Sequence, residues 1–89
     1  MNVVILGYGK LGQSIAKTYT KEDKICGIDE KGMTSDTEPL NKVDGIDILH
    51  ICLPASKKFD DIVKINCDYF EPKSVINNRA TKNDVICLD

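Results

Sequence analysis

Three closely spaced glycines, in Gly7-Tyr8-Gly9-Lys10-Leu11-Gly12, carry the clearest chemical implication in this chain of 89 residues. Glycines at this spacing suit the binding of a pyrophosphate when a strand precedes them and a helix follows. The apolar run Val3-Val4-Ile5-Leu6 lies immediately before them and a helical pattern immediately after. Gly7 lets the chain turn sharply out of the strand, Gly9 removes a Cβ where phosphate oxygens approach the backbone, and Gly12 lets the helix lie close on the sheet. Tyr8, Lys10 and Leu11 complete the turn, whose N–H groups open the helix and, with the positive end of its dipole, form an anion site. A glycine-rich turn that merely packs is the competing explanation.

A second acidic anchor follows. Asp29 lies about twenty residues beyond the glycine turn, at the carboxyl end of the run Lys24-Ile25-Cys26-Gly27-Ile28-Asp29, and Glu30 adjoins it. A carboxylate there accepts hydrogen bonds from both hydroxyls of an adenosine ribose and repels a 2′-phosphate. The pair therefore points to NAD rather than NADP, a preference that neighbouring Lys31 blurs. Taken alone, Asp29 reads equally well as a solvated turn residue.

The other reactive side chains are set aside. His50, the sole histidine, falls mid-strand among apolar neighbours and is expected to be a hydrogen-bonded core residue, not an acid or base. Cys26, Cys52, Cys67 and Cys87 are separated by long, unequal gaps with no Cys-x-x-Cys, so no zinc site is expected. They read as inert, reduced core thiols of a cytoplasmic protein. A net charge of −2 with scattered lysines argues against a nucleic-acid partner. The opening apolar run is far too short for a signal-peptide core or a membrane span.

These residues need elements to position them. The length fits one domain, residues 1–89, with one sheet and helices on its faces. The first strand covers about Asn2 to Leu6. The helix after the glycines, with Leu11, Ile15, Ala16 and Tyr19 on one face, is expected to end around Thr20 to Asp23. Lys24 to Asp29 is the second strand, closed by a turn at Glu30-Lys31-Gly32. From Met33 to Gly45 there is at most one helical turn around Leu40 to Val43, so the interval that holds a helix and a strand in a full dinucleotide fold is cut down here. Asp47 to Leu53 is the third strand, ended by Pro54. Ser56 is the expected N-cap of a second helix, with Lys57 and Lys58 in its first turn and Phe59, Ile62, Val63, Cys67 and Phe70 on its apolar face. Glu71-Pro72 stops it. Ser74 to Asn77 is the fourth strand and Val85 to Leu88 the fifth.

The fold class expected is α/β, a Rossmann-like doubly wound, mostly parallel sheet of about five strands in the order 2-1-3-4-5. Its switch point lies between strands one and three, and ligands bind at that crevice. Leu53, Pro54 and Ala55 line it by position opposite the glycine turn, and Asn77 ends the fourth strand at the same edge. With so few residues between strands four and five, the last strand is expected to turn back as a hairpin if it is not parallel.

Four stretches, GYGKLG, CGIDE, HICLP and VINNRAT, occur in an order and spacing that resembles the amino-terminal NAD-binding domain of a dehydrogenase superfamily. That superfamily includes the 6-phosphogluconate, 3-hydroxyisobutyrate, prephenate and nucleotide-sugar enzymes. The resemblance covers nearly all of the chain. It implies an NAD cofactor, with Leu53, Pro54 and Ala55 on the pyrophosphate and nicotinamide-ribose side. The family commonly ends its next strand in a Ser-Thr pair, where this chain has Arg79-Ala80-Thr81. Because the catalytic groups of those enzymes come from later domains, the resemblance implies an NAD(H)-binding module that is not active alone, served by a separate catalytic chain or by self-association. A regulatory nucleotide-binding module, similar to the cytoplasmic domains of potassium transport systems, is the alternative.

Overall fold

In the computed structural model the placement of residues 1–34, 37–54 and 57–78 is described, together with the backbone of residues 87–88. Strand β1 (Asn2–Leu6) is buried on both faces, as its unbroken apolar sequence demands, and lies at the centre of the sheet. It pairs in parallel with β2 (Lys24–Asp29) on one side and with β4 (Ile48–Ile51) on the other. Strand β5 (Ser74–Asn77) continues the parallel set beyond β4.

Two short antiparallel strands close the edges, β3 (Gly32–Met33) against β2 and β6 (Cys87–Leu88) against β5. The full order is β3-β2-β1-β4-β5-β6. It differs from the expected five-strand order by an edge strand outside β2. The turn after Asp29 does not simply end the second strand but folds it into a hairpin, with Gly32 at a φ of 113° and the Asp29 carboxylate accepting from the Lys31 N–H at 2.8 Å. Such a side-chain-to-backbone bond is a usual device of aspartate at turns. The result is a mixed, mostly parallel α/β sheet of generic Rossmann-like form.

Helix α1 (Lys10–Ala16) is only seven residues long and stops well short of the expected end. Beyond Ala16 the chain tightens: the N–H groups of Thr18 and Tyr19 reach back three residues to the carbonyls of Ile15 and Ala16, and the Thr18 hydroxyl donates to the Ile15 carbonyl at 2.7 Å. Local hydroxyl bonding of this kind competes with helix continuation, which periodicity alone does not register. Helix α2 (Phe59–Phe70) begins at Phe59 with Lys58 at its N-cap. Lys57 and Lys58 thus precede the first turn, where Asp60 and Asp61 suit the helix dipole instead. The expected cap, Ser56, lies outside the described residues. At the other end Glu71 takes a left-handed φ of 48° and its N–H bonds the Cys67 carbonyl, with Pro72 barring continuation.

The short turn between β3 and β4 is a 3-10 segment, Lys42–Asp44, capped reciprocally by Asn41 and Asp44. The two sheet faces are covered unequally. On the α2 side the fully buried set runs through Val4, Leu6, Cys26, Leu49, Ile51 and Phe70, while on the α1 side it comprises Val3, Ile5 and Cys52 with half-buried Tyr8, Leu11 and Tyr19 packed above. No helix among the described residues is long and apolar enough to cross a membrane.

Candidate functional site

The glycine turn is wedged between β2 and the end of β4. The Gly7 N–H donates to the Ile28 carbonyl at 2.7 Å, and Gly7 itself has a φ of 92°. A Cβ on Gly7 would come within 2.9 Å of both the Cys52 carbonyl carbon and the Leu53 nitrogen. This glycine is therefore required twice, by backbone conformation and by close approach. A Cβ on Gly12 would overlap the Gly7 carbonyl oxygen and meet Ile5 Cγ2 at 3.0 Å, so Gly12 lets α1 sit directly on the turn.

Gly9 is different. Its φ of −85° and ψ of −154° are open to any residue, and a Cβ there would meet nothing within 4 Å. No neighbour among the described residues demands a glycine at that position. Gly9 is the N-cap of α1, and the first helical bond runs from the Gln13 N–H to the Gly9 carbonyl at 2.9 Å. The N–H groups of Gly9, Lys10, Leu11 and Gly12 therefore have no partner within the helix.

Beside the turn is a cleft of about 730 Å³ at the carboxyl ends of β1, β2 and β4. Gly7, Tyr8, Gly9, Lys10 and Leu11 form one wall, Asp29 and Glu30 one end, and Leu53 and Pro54 the facing side. The chain passes from β1 to β2 on one side and then crosses to β4 on the other, both parallel to β1, which makes this the topological switch point at which open sheets of this kind take ligands. Phe59 and Ile62 of α2 add apolar surface to the lining, and Lys10 and Lys31 add two cations to it.

The sequence-derived set is thus gathered with three departures. Gly12 is buried beneath the turn and serves packing. Asn77 closes β5 and is not among the lining residues. Ala55 lies outside the described residues, as do Arg79, Ala80 and Thr81. Lys31, Cys52, Phe59 and Ile62 belong to the cleft wall and were not expected there. The helical spacing of Phe59 and Ile62 marks them as core, and only the position of α2 over the strand ends turns them toward the cleft.

His50 is 6% exposed and has both ring nitrogens engaged. Nε2 lies 2.5 Å from the Tyr19 hydroxyl and Nδ1 2.5 Å from the Asn78 side-chain oxygen. Since the amide oxygen only accepts, Nδ1 carries the proton and Nε2 accepts from the tyrosine. The ring of Tyr19 also meets that of His50 edge-on at 5.7 Å. The histidine is a structural tie between the end of α1 and the end of β5. Burial pushes the Tyr19 phenol up, with the charge of Asp23 adding to it. Burial likewise raises the thiols of Cys26 and Cys67. No group of three or more His, Cys, Asp or Glu side chains among the described residues could hold a metal ion.

Comparison with family models, with curated proteins and with solved structures gives no match. What the chain is, at the level shown, is a small α/β domain of generic Rossmann-like form with a cleft at its switch point.

Proposed function

We propose that the chain is an NAD(H)-binding module whose cleft takes the dinucleotide with its pyrophosphate over Gly9 and its adenosine ribose toward Asp29. The observation that carries this reading is the unused space at Gly9. Gly7 and Gly12 are glycines because the fold crowds them, whereas Gly9 is crowded by nothing among the described residues, and a ligand lying close to the backbone supplies the missing reason. The residues present fit such a ligand: helix-start N–H donors for phosphate oxygens, Asp29 and Glu30 for ribose hydroxyls, and the apolar surface of Leu53, Pro54, Phe59 and Ile62 for ring faces. One Asp29 oxygen is already used by the Lys31 N–H, and the second has no hydrogen bond among the described residues.

NAD supplies hydride chemistry wherever it binds with a substrate. The lining residues supply binding and orientation, and His50, being enclosed with both nitrogens bonded, is not positioned to accept a proton from anything in the cleft. Isothermal calorimetry with NAD, NADH, NADPH, ATP and AMP tests the proposal. Saturable binding of NAD or NADH in preference to NADPH supports it. Binding of ATP or AMP without NAD replaces it with a regulatory nucleotide module, and no binding of any of the five overturns it.

A further inference from the structure

Gly27 is buried in β2, and the three atoms nearest to a Cβ built on it all belong to one residue of the glycine turn. A Cβ on Gly27 would come within 2.5 Å of Tyr8 Cδ1, 2.6 Å of Cγ and 3.1 Å of Cβ. Real Cβ atoms do not approach other atoms that closely, so nothing larger than hydrogen fits while Tyr8 stays where it is. The crowding reaches the root of the tyrosine, not its tip. A rotation about χ2 therefore cannot relieve it, because Cγ does not move; either the whole Tyr8 side chain leaves its rotamer or the backbone of the turn shifts with it. Tyr8 stands between Gly7 and Gly9, and its carbonyl accepts from the Gln13 side chain at 3.4 Å. Gly7 is held against Ile28 on one side and Cys52 and Leu53 on the other. Tyr8 over Gly27 is a further point of support, made by packing of a side chain.

From this we infer that Tyr8 and Gly27 form a steric pair that sets the height of the Gly7–Gly9 backbone over the cleft, making Tyr8 a positioning residue for the ligand. The inference rests on the dinucleotide reading for its effect on affinity but not for its effect on the turn. Ring and glycine are matched in size: enlarging position 27 lifts the turn, and removing the ring at position 8 lets it settle back. Neither residue needs to touch the ligand through its side chain.

A size-swap experiment tests the pair. Gly27→Ala, Tyr8→Ala and the double variant are compared by calorimetry with NADH at a temperature where each is folded, and by amide chemical shifts of residues 7–12. Gly27→Ala is expected to weaken NADH binding about tenfold or more, in line with the cost of overpacking, and to displace the turn amides. In the double variant both the affinity and the shifts are expected to match those of Tyr8→Ala alone, because the added methyl then meets no ring. If Gly27→Ala fails to fold, the double variant must fold. A folded Gly27→Ala that binds NADH and shows turn amides like the wild type overturns the pair, as does a double variant whose turn amides stay as far from those of Tyr8→Ala as Gly27→Ala is from the wild type. If the wild-type chain binds no NADH, the cofactor reading fails alone, and the shift comparison still decides whether the pair sets the turn.

Discussion

The glycines of the turn separate what the fold needs from what a ligand needs, and substituting them one at a time measures the difference. Gly9→Val places its side chain in open space at an ordinary backbone conformation. Loss of a tolerable N-cap is opposed by the lower entropy of the unfolded chain, so stability should stay within about 1 kcal/mol of wild type. Gly12→Ala forces a Cβ against the Gly7 carbonyl and Ile5. Overpacking costs about 1–3 kcal/mol, and contact with backbone puts this case near the top of that range. Alanine recovers about 1 kcal/mol of helix propensity, leaving a net loss of about 2 kcal/mol. Gly7→Ala adds a left-handed conformation, itself about 1–2 kcal/mol, to an overlap of similar kind. For a domain of this size each kcal/mol moves the midpoint by roughly 4–8 °C, well resolved by far-ultraviolet circular dichroism. Calorimetry with NADH on the same samples should rank them differently: Gly9→Val folded but without measurable binding, Gly12→Ala destabilised but still binding. A Gly9→Val protein that binds NADH like the wild type, or that loses as much stability as Gly12→Ala, would refute the reasoning.

Asp29→Asn keeps an acceptor for the Lys31 N–H while removing the charge; NAD affinity should fall by about 1–3 kcal/mol and discrimination against NADPH should narrow in parallel titrations. Replacing His50 with Phe strands the Tyr19 hydroxyl and Asn78 oxygen, and urea titration should register a loss of about 1–3 kcal/mol. The Asn2 N–H and the Lys73 ammonium hold the Asp47 carboxyl below its usual range. Its stabilising contribution is therefore complete above pH about 4 and lost as pH falls through the depressed value, so Asp47→Asn should flatten the acid limb of the stability profile and leave neutral pH less stable than wild type. Incubated alone with NAD and a panel of hydroxy acids or nucleotide sugars, the chain should form no NADH above a Gly9→Val control; formation above that background would show a proton acceptor that the cleft lining does not provide.

The central part of the fold was legible because its signals are local and strong. Val3 to Leu6 can only be a buried strand, and the switch from that run through glycines to a helical period gives β1, the turn and the start of α1. The place of Asp29 in the cleft lining follows from its distance from the turn. The edges were harder. β3 is two residues long and owes its existence to Gly32 and to the Asp29 carboxylate on Lys31, an arrangement that no periodicity encodes. The early stop of α1 depends on Thr18 bonding backward and on Tyr19 reaching His50, a partner 31 residues away. The cap of α2 was misplaced because serine is the better cap by chemistry, whereas the helix starts where Asp60 and Asp61 can face its first turn. The role of Tyr8 was invisible in the motif, which specifies the glycines around it and is silent about Gly27.

The unequal cover of the two sheet faces has a thermodynamic consequence for the cleft. Tyr8 and Leu11 belong at once to the cleft wall and to the smaller, α1-side core, which among the described residues is anchored by three buried side chains. The wall on the Phe59 and Ile62 side leans instead on the larger cluster. Local opening draws on regions with the least buried apolar surface, so α1 and the turn should exchange their amide hydrogens through a smaller, cheaper unfolding than β4, β5 and α2. On the reading proposed above, a ligand seated on the turn acts on that unit first. Its binding free energy is felt as slowed exchange across α1 at concentrations too low to shift the global midpoint, which makes the thin half of the sheet the sensor of occupancy and the thick half its fixed reference.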